Sequence, residues 1–151
     1  MFSIEIKNLS KRPVGLKVLR RAAEFTAQRL HLDGELSLVL AGDRRLQRLN
    51  QAFLGKDKPT DVLSFRAPVI SPGALGEIFI NLSDCRRPQK YLAVFGAQKS
   101  FTYILLFLMI HGLLHLAGFD DATEKERLAM ISKGERIMKE LVKNAIIKEN
   151  L

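Results

Sequence analysis

Cysteine and histidine are scarce in this chain, and each scarcity removes some chemistry. Cys85 is the single cysteine among 151 residues. No intramolecular disulfide can close, and no cysteine-rich zinc cage can form. Cys85 reads as a small buried hydrophobe, and one free thiol is compatible with a reducing cytoplasm, the expected location. The N-terminal segment Met1 to Lys7 lacks the basic start and apolar core of a signal peptide. Long apolar runs are also missing, with one exception. Phe101 to Ala117 carries no formal charge and reaches the lower length limit of a membrane span. It contains two of the three histidines, His111 and His115, and ionisable groups are rare within spans. A buried core helix is the reading, with no membrane partner.

Acidic residues are outnumbered by basic ones, 16 against 24, for a net charge of +8. Charge alone fits a solubilising surface and an anionic partner such as nucleic acid equally well. With 47% hydrophobic and 26% charged residues, the chain has the composition of a globular domain. A chain of this length can bury roughly 70% of its unfolded surface, so a core needs no covalent staples. No repeat, low-complexity tract or long linker interrupts it. One domain over residues 1–151 is expected.

Hydrophobic periodicity then divides the chain. Ser3 to Lys7 alternates as a strand. Leu16, Leu19, Ala23, Thr26 and Leu30 recur at helical spacing, which predicts a helix over Gly15 to Leu32. Asp33-Gly34 is a turn, and Glu35 to Ala41 a strand. Asp43 is placed to cap a helix running to about Phe53, with Arg44, Arg45 and Arg48 on its face. Gly55 to Thr60 reads as a polar loop, Val62 to Phe65 as a strand, Ala67 to Gly76 as irregular, and Glu77 to Leu82 as a strand. After Pro88 a long helical stretch, broken or uneven near Gly96, leads to Leu116. Thr123 to Glu126 has the form of a capping box. It opens a last helix whose face includes Leu128, Ile131, Met138, Leu141, Val142 and Ala145. The mixture predicts an α+β fold: a small mixed sheet of about four strands packed against several helices.

His111 and His115 stand four apart, which puts both imidazoles on one helix face, one turn apart. Two nitrogens so placed can converge on one divalent ion. Gly118 sits where a helix-ending glycine belongs, and Asp120 or Asp121 can then return a carboxylate. Three protein ligands leave a position open, as catalytic metal sites do. A bare pair of histidines at this spacing often binds nothing. Here both lie in an apolar helix that stops at a glycine and is followed by two carboxylates, and unpaired imidazoles there would be costly. His31, beside the turn, reads as an ordinary helix-end residue. Zinc peptidases place a general-base glutamate directly after the first histidine. Gly112 occupies that position, so a metal hydrolase acting on peptides is the weakest reading.

The segment His111-Gly112-Leu113-Leu114-His115-Leu116-Ala117-Gly118-Phe119-Asp120-Asp121 resembles the H-G-x-L-H-L-x-G-x-D-H signature of the YbeY family of metal-dependent endoribonucleases, or rRNA maturation factors. Gly55-Lys56-Asp57-Lys58-Pro59-Thr60-Asp61-Val62-Leu63-Ser64-Phe65 resembles a second family block, and Gly76-Glu77-Ile78 a third. The three blocks stand in the family's order between Leu49 and Asp121. Two positions depart. Asp121 replaces the family's third histidine, and Leu54 replaces an arginine thought important there.

The resemblance implies cleavage of single-stranded RNA, in maturation of the 16S rRNA 3′ end and ribosome quality control. The implied partners are rRNA and the small ribosomal subunit or its proteins. It also implies a small mixed sheet with the site helix central. The metal ligands would be His111, His115 and Asp121. Zinc is the family's metal, and two imidazoles with a carboxylate also suit nickel, iron or manganese. Asp120 would orient a ligand histidine or act as a base. Lys56 and Lys58 would serve catalysis and, with Arg44, Arg45, Arg48 and Arg66, hold RNA. A ribosome-assembly or rRNA-binding factor with weak or no nuclease activity is the alternative.

Overall fold

The alternating segments become strands of one sheet. The computed structural model describes residues 1–68 and 70–148. Strands β1 (Phe2–Asn8), β2 (Gly34–Ala41), β3 (Val62–Arg66) and β4 (Ala74–Asn81) lie in the order β1-β2-β4-β3. β1 and β2 are parallel, with Ile4 opposite Leu36. β2 and β4 are parallel, with Leu38 opposite Ile78. β3 runs antiparallel to β4, with Ser64 opposite Ile78. The fold is α+β, and β3 forms an edge of the sheet.

Among the described residues there are six α-helices: α1 (Leu16–Arg29), α2 (Asp43–Leu54), α3 (Leu82–Cys85), α4 (Leu92–Phe95), α5 (Phe101–Leu116) and α6 (Glu124–Lys143). The charge-free run is α5, and it is central. It packs against α1, α3, α6, β3 and β4. Ile104, Leu106, Met109, Ile110 and Leu113 are fully buried and join Leu36, Leu38, Leu40, Ile78 and Ile80 in the main core. A helix surrounded on all sides has no polar face to show, so its lack of amphipathic pattern follows from its position. Among the described residues no helix is long and apolar enough to cross a membrane. Under α2, on the other face of the sheet, Leu46, Leu63 and Ala41 form a smaller cluster with Leu49, Phe65 and Phe79.

Several boundaries differ from the sequence expectation, each for a local reason. α1 is shorter than predicted: Gly15 caps it, Leu16 is exposed, and His31 adopts a left-handed φ of 56° at its end. Asp43 does not cap α2. Gly42 does, and the Asp43 carboxylate instead accepts the Asn81 Nδ2–H at 2.7 Å and pairs with Arg87. The stretch after Pro88 is three pieces. A 3-10 turn spans Pro88–Tyr91, α4 follows and stops at left-handed Gly96, and α5 starts when Ser100 Oγ accepts the Tyr103 N–H. Leu82 begins α3 instead of ending β4, because the Asn81 side chain accepts the Ser83 N–H. β4 starts at Ala74, inside the segment read as irregular. On α6 the Thr123–Glu126 capping box is present, whereas Leu128 is exposed and Ala145 lies beyond the helix.

Candidate metal centre

The last turns of α5 carry His111 and His115, and the way the helix ends brings Asp121 back to them. The Phe119 N–H donates to Leu114 O at 3.1 Å and the Gly118 N–H to His115 O at 3.0 Å. This pair of bonds, with Gly118 at φ 103°, is a Schellman ending. Only glycine takes that φ cheaply. The chain reverses there, and the Thr123 capping box starts α6 two residues after Asp121. Between the two fixed points Asp121 Oδ2 lies 3.2 Å from His111 Nε2 and 3.3 Å from His115 Nε2. One donor atom from each of the three residues lies within 4.8 Å of the others.

The electrostatics suit ligands. His115 Nδ1 is 3.1 Å from the Phe119 carbonyl, which can only accept. Nδ1 therefore carries the proton, and Nε2 presents its lone pair to the triad. Burial, and then the neighbouring His115, hold the His111 imidazolium below the usual histidine range, against the opposing pull of Asp121. The neutral ring is the ligating form. Two imidazole nitrogens and one carboxylate oxygen facing a common point fit a divalent cation.

Gly112 faces away from the triad. A Cβ there would lie 2.9 Å from Ile78 Cδ1, Ile78 Cγ2 and Ser64 Oγ. The position that carries a base in zinc peptidases is here pressed against β3 and β4, and Ser64 Oγ donates to Gly112 O at 3.1 Å. A glutamate there would meet the sheet.

The triad opens into a cleft of about 710 Å³ that also holds Lys56, Lys58, Asp61, Ser64, Arg66 and Lys90. Buried Asn50 and Asn81 brace the loop on one wall: Asn50 Nδ2 donates to Lys58 O at 2.9 Å, and Asn81 Nδ2 to Thr60 O at 3.2 Å. Arg66 reaches the site helix through a long bond to His115 O, 3.4 Å. Of the residues expected on sequence grounds, the structure brings Lys56, Lys58 and Arg66 to the triad. Arg44, Arg45 and Arg48 are exposed on α2 and do not line the cleft. Asp120 does not line it either. Its Oδ1 accepts the Asp121 N–H at 2.8 Å, so it steadies the backbone of the carboxylate residue, while the Phe119 carbonyl orients His115.

Two cleft residues escaped the sequence reading. Lys90 Nζ sits 3.0 Å from Asp84 Oδ1, and Asp84 is buried. Asp61 accepts the Tyr91 hydroxyl at 2.9 Å. Burial, and then the charge of Asp61, hold the Tyr91 phenol well above its usual range, so it stays a donor. Asp61 ends a loop directly before β3, and loop residues positioned by a rigid strand often carry function. Lys90 had no local signal.

The architecture and the blocks around the triad can be set against known proteins. A family model described as Endoribonuclease YbeY matches residues 4–142. The chain belongs to the YbeY endoribonuclease family. A relative from Geobacter sulfurreducens named Endoribonuclease YbeY is 33% identical over 150 residues, covering 87% of this chain and 97% of its own. One of the same name from Allorhizobium ampelinum is 38% identical, covering 81% and 75%. A Thermotoga maritima protein solved in solution superposes with a TM-score of 0.61 at 28% identity, over 94% of this chain and 91% of that one. Within the family frame, Leu54 ends α2 and lines the cleft without a charge. The cleft's positive charge comes from Lys56, Lys58, Arg66 and Lys90 instead.

Proposed function

We propose that this chain is a metal-dependent endoribonuclease that cuts single-stranded RNA, acting in 16S rRNA 3′-end maturation. The observation that carries the reading is the convergence of His111, His115 and Asp121 within 4.8 Å, in a cleft that also holds four cationic side chains. The triad holds one divalent ion, zinc in the first instance. Bound there, the ion supplies Lewis acidity toward a phosphate oxygen or water.

The remaining work belongs to the protein. His115 is fixed in one tautomer by Phe119, and His111 is kept neutral by burial. Lys56, Lys58, Arg66 and Lys90 take the phosphate charge. Lys90 is anchored by Asp84 and so meets a phosphate with little loss of side-chain freedom.

A second reading, an rRNA-binding assembly factor on the small ribosomal subunit, draws on Arg44, Arg45 and Arg48. These lie on the exposed face of α2, outside the cleft, and offer phosphate contacts unrelated to cutting. The test is cleavage of an end-labelled single-stranded RNA by metal-loaded protein. Cutting that stops in His111→Ala/His115→Ala supports the nuclease. Cutting that survives in that variant sinks it. Salt-sensitive rRNA binding that persists in the variant, without cutting by the wild type, would favour the assembly factor.

A further inference from the structure

We infer that the open edge of β3 is a main-chain binding site that lays an unpaired RNA strand alongside the His111–His115–Asp121 triad. The inference rests on the ribonuclease reading and specifies what holds the substrate.

The register decides which main-chain groups are free. The Asn81 N–H donates to Asp61 O at 2.8 Å, and the Ala67 N–H to Leu75 O at 3.2 Å. Leu63 lies opposite Phe79, and Phe65 opposite Glu77. In an antiparallel ladder the bonded residues alternate, so Asp61, Leu63, Phe65 and Ala67 turn their N–H and C=O groups toward β4. Val62, Ser64 and Arg66 turn theirs the other way. β3 ends the sheet, and among the described residues no backbone group pairs with these three from outside. All three line the cleft together with the triad.

An unpaired strand edge is a template for an extended partner. Charge selects the partner's class. Lys56, Lys58 and Arg66 share the cleft with Lys90, which is paired with Asp84, against Asp61 and the triad's own Asp121. This balance favours a polyanion over a neutral peptide. The alternating N–H and C=O groups offer donors to phosphate oxygens, and donor–acceptor pairs to the exposed edge of a base. Duplex RNA has its base edges paired and its major groove closed to such contacts, so a single strand is the fitting form. The edge is also tied to the site helix. Ser64 Oγ bonds Gly112 O and Arg66 Nη2 bonds His115 O, so the free amides and the triad keep a fixed spacing.

The test exploits proline. Val62 is the first residue of β3 and its N–H points away from β4, a place where proline is tolerated. Val62→Pro removes that donor, and Val62→Ala removes the side chain alone. Both are compared for binding of a short fluorescein-labelled 2′-O-methyl oligouridylate by the metal-loaded protein. Stoichiometric metal and a retained melting transition report that each variant is folded. The expectation is binding about tenfold weaker in Val62→Pro than in Val62→Ala, the loss of one hydrogen bond to a charged acceptor. Its salt slope stays that of the wild type, whereas Lys58→Ala reduces the slope by about 1. Equal affinity of the two Val62 variants overturns the proposal.

A second measurement needs no variant. With the oligouridylate bound, amide exchange at Val62 and Ser64 should slow, while Leu63 and Phe65, already in the ladder, hardly change. Unaltered exchange at Val62 and Ser64 overturns the proposal as well. Binding of unstructured casein that is lost in Val62→Pro, with no oligouridylate binding, would assign the edge to peptides instead. Absence of any oligouridylate binding by the wild type would defeat the ribonuclease reading itself.

Discussion

Consider replacing Gly112 with alanine. Helix propensity alone favours the change by about 1 kcal/mol, because glycine inside a helix loses the most backbone freedom on folding. The packing argues the reverse. The new Cβ would stand 2.9 Å from three atoms, Ile78 Cδ1, Ile78 Cγ2 and Ser64 Oγ. The Ile78 Cδ1 contact can be relieved by a side-chain rotation, but Ile78 Cγ2 and Ser64 Oγ sit close to their backbones. Overpacking of this kind costs about 1–3 kcal/mol. Displacing Ser64 from Gly112 O weakens a hydrogen bond worth about 1 kcal/mol. The balance is a loss of about 2 kcal/mol. For a domain of this size that lowers Tm by roughly 4–8 °C. α5 would also shift away from β3, carrying His111 and His115 with it, so metal affinity should fall. Thermal unfolding by circular dichroism without added metal measures the first effect, and calorimetric zinc titration the second. A Tm equal to or above the wild type would mean that propensity wins and that the close approach of α5 to the sheet is not tight.

Three further outcomes can be checked directly. Asp121→Ala should drop bound metal well below one equivalent by elemental analysis, and full occupancy would move the third donor elsewhere. Cys85 is 1% exposed, and burial followed by the charge of Asp84 pushes its thiol up to about 12. At pH 8 its thiolate fraction is then about 10⁻⁴. Ellman's reagent should react quickly only after denaturation, and fast labelling of the native protein would contradict the burial. His31 holds a φ of 56° at the end of α1. His31→Gly relieves a left-handed strain of about 1 kcal/mol and should raise Tm by a few degrees in a thermal melt.

The sequence by itself determined those features that depend on neighbours along the chain. Alternation in Ser3 to Lys7 and Glu35 to Ala41 identified two strands. The spacing of His111 and His115 put both rings on one helix face, Gly118 ended that helix, and Thr123 with Glu126 opened the next. All of these act within a few residues, where helix and strand periods and capping bonds operate. The residue blocks from Leu49 to Asp121 also carried the family, because they keep these local geometries in order.

What needed the tertiary structure was every choice between chemically similar groups. Asp120 and Asp121 are adjacent and alike, yet the reversal at Gly118 turns one carboxylate toward the imidazoles and leaves the other bonded to a backbone N–H. Arg48 and Lys58 are equally basic, but Arg48 lies on the exposed face of α2, while buried Asn50 of the same helix pins the loop carrying Lys58 to the cleft. Lys90 had no sequence pattern to reveal it, since a buried Asp84 from a different element fixes its position. Gly112 read only as a missing base. Packed together, β3 and β4 make it the point where the site helix touches the sheet, and the strand it touches has its other edge open beside the triad.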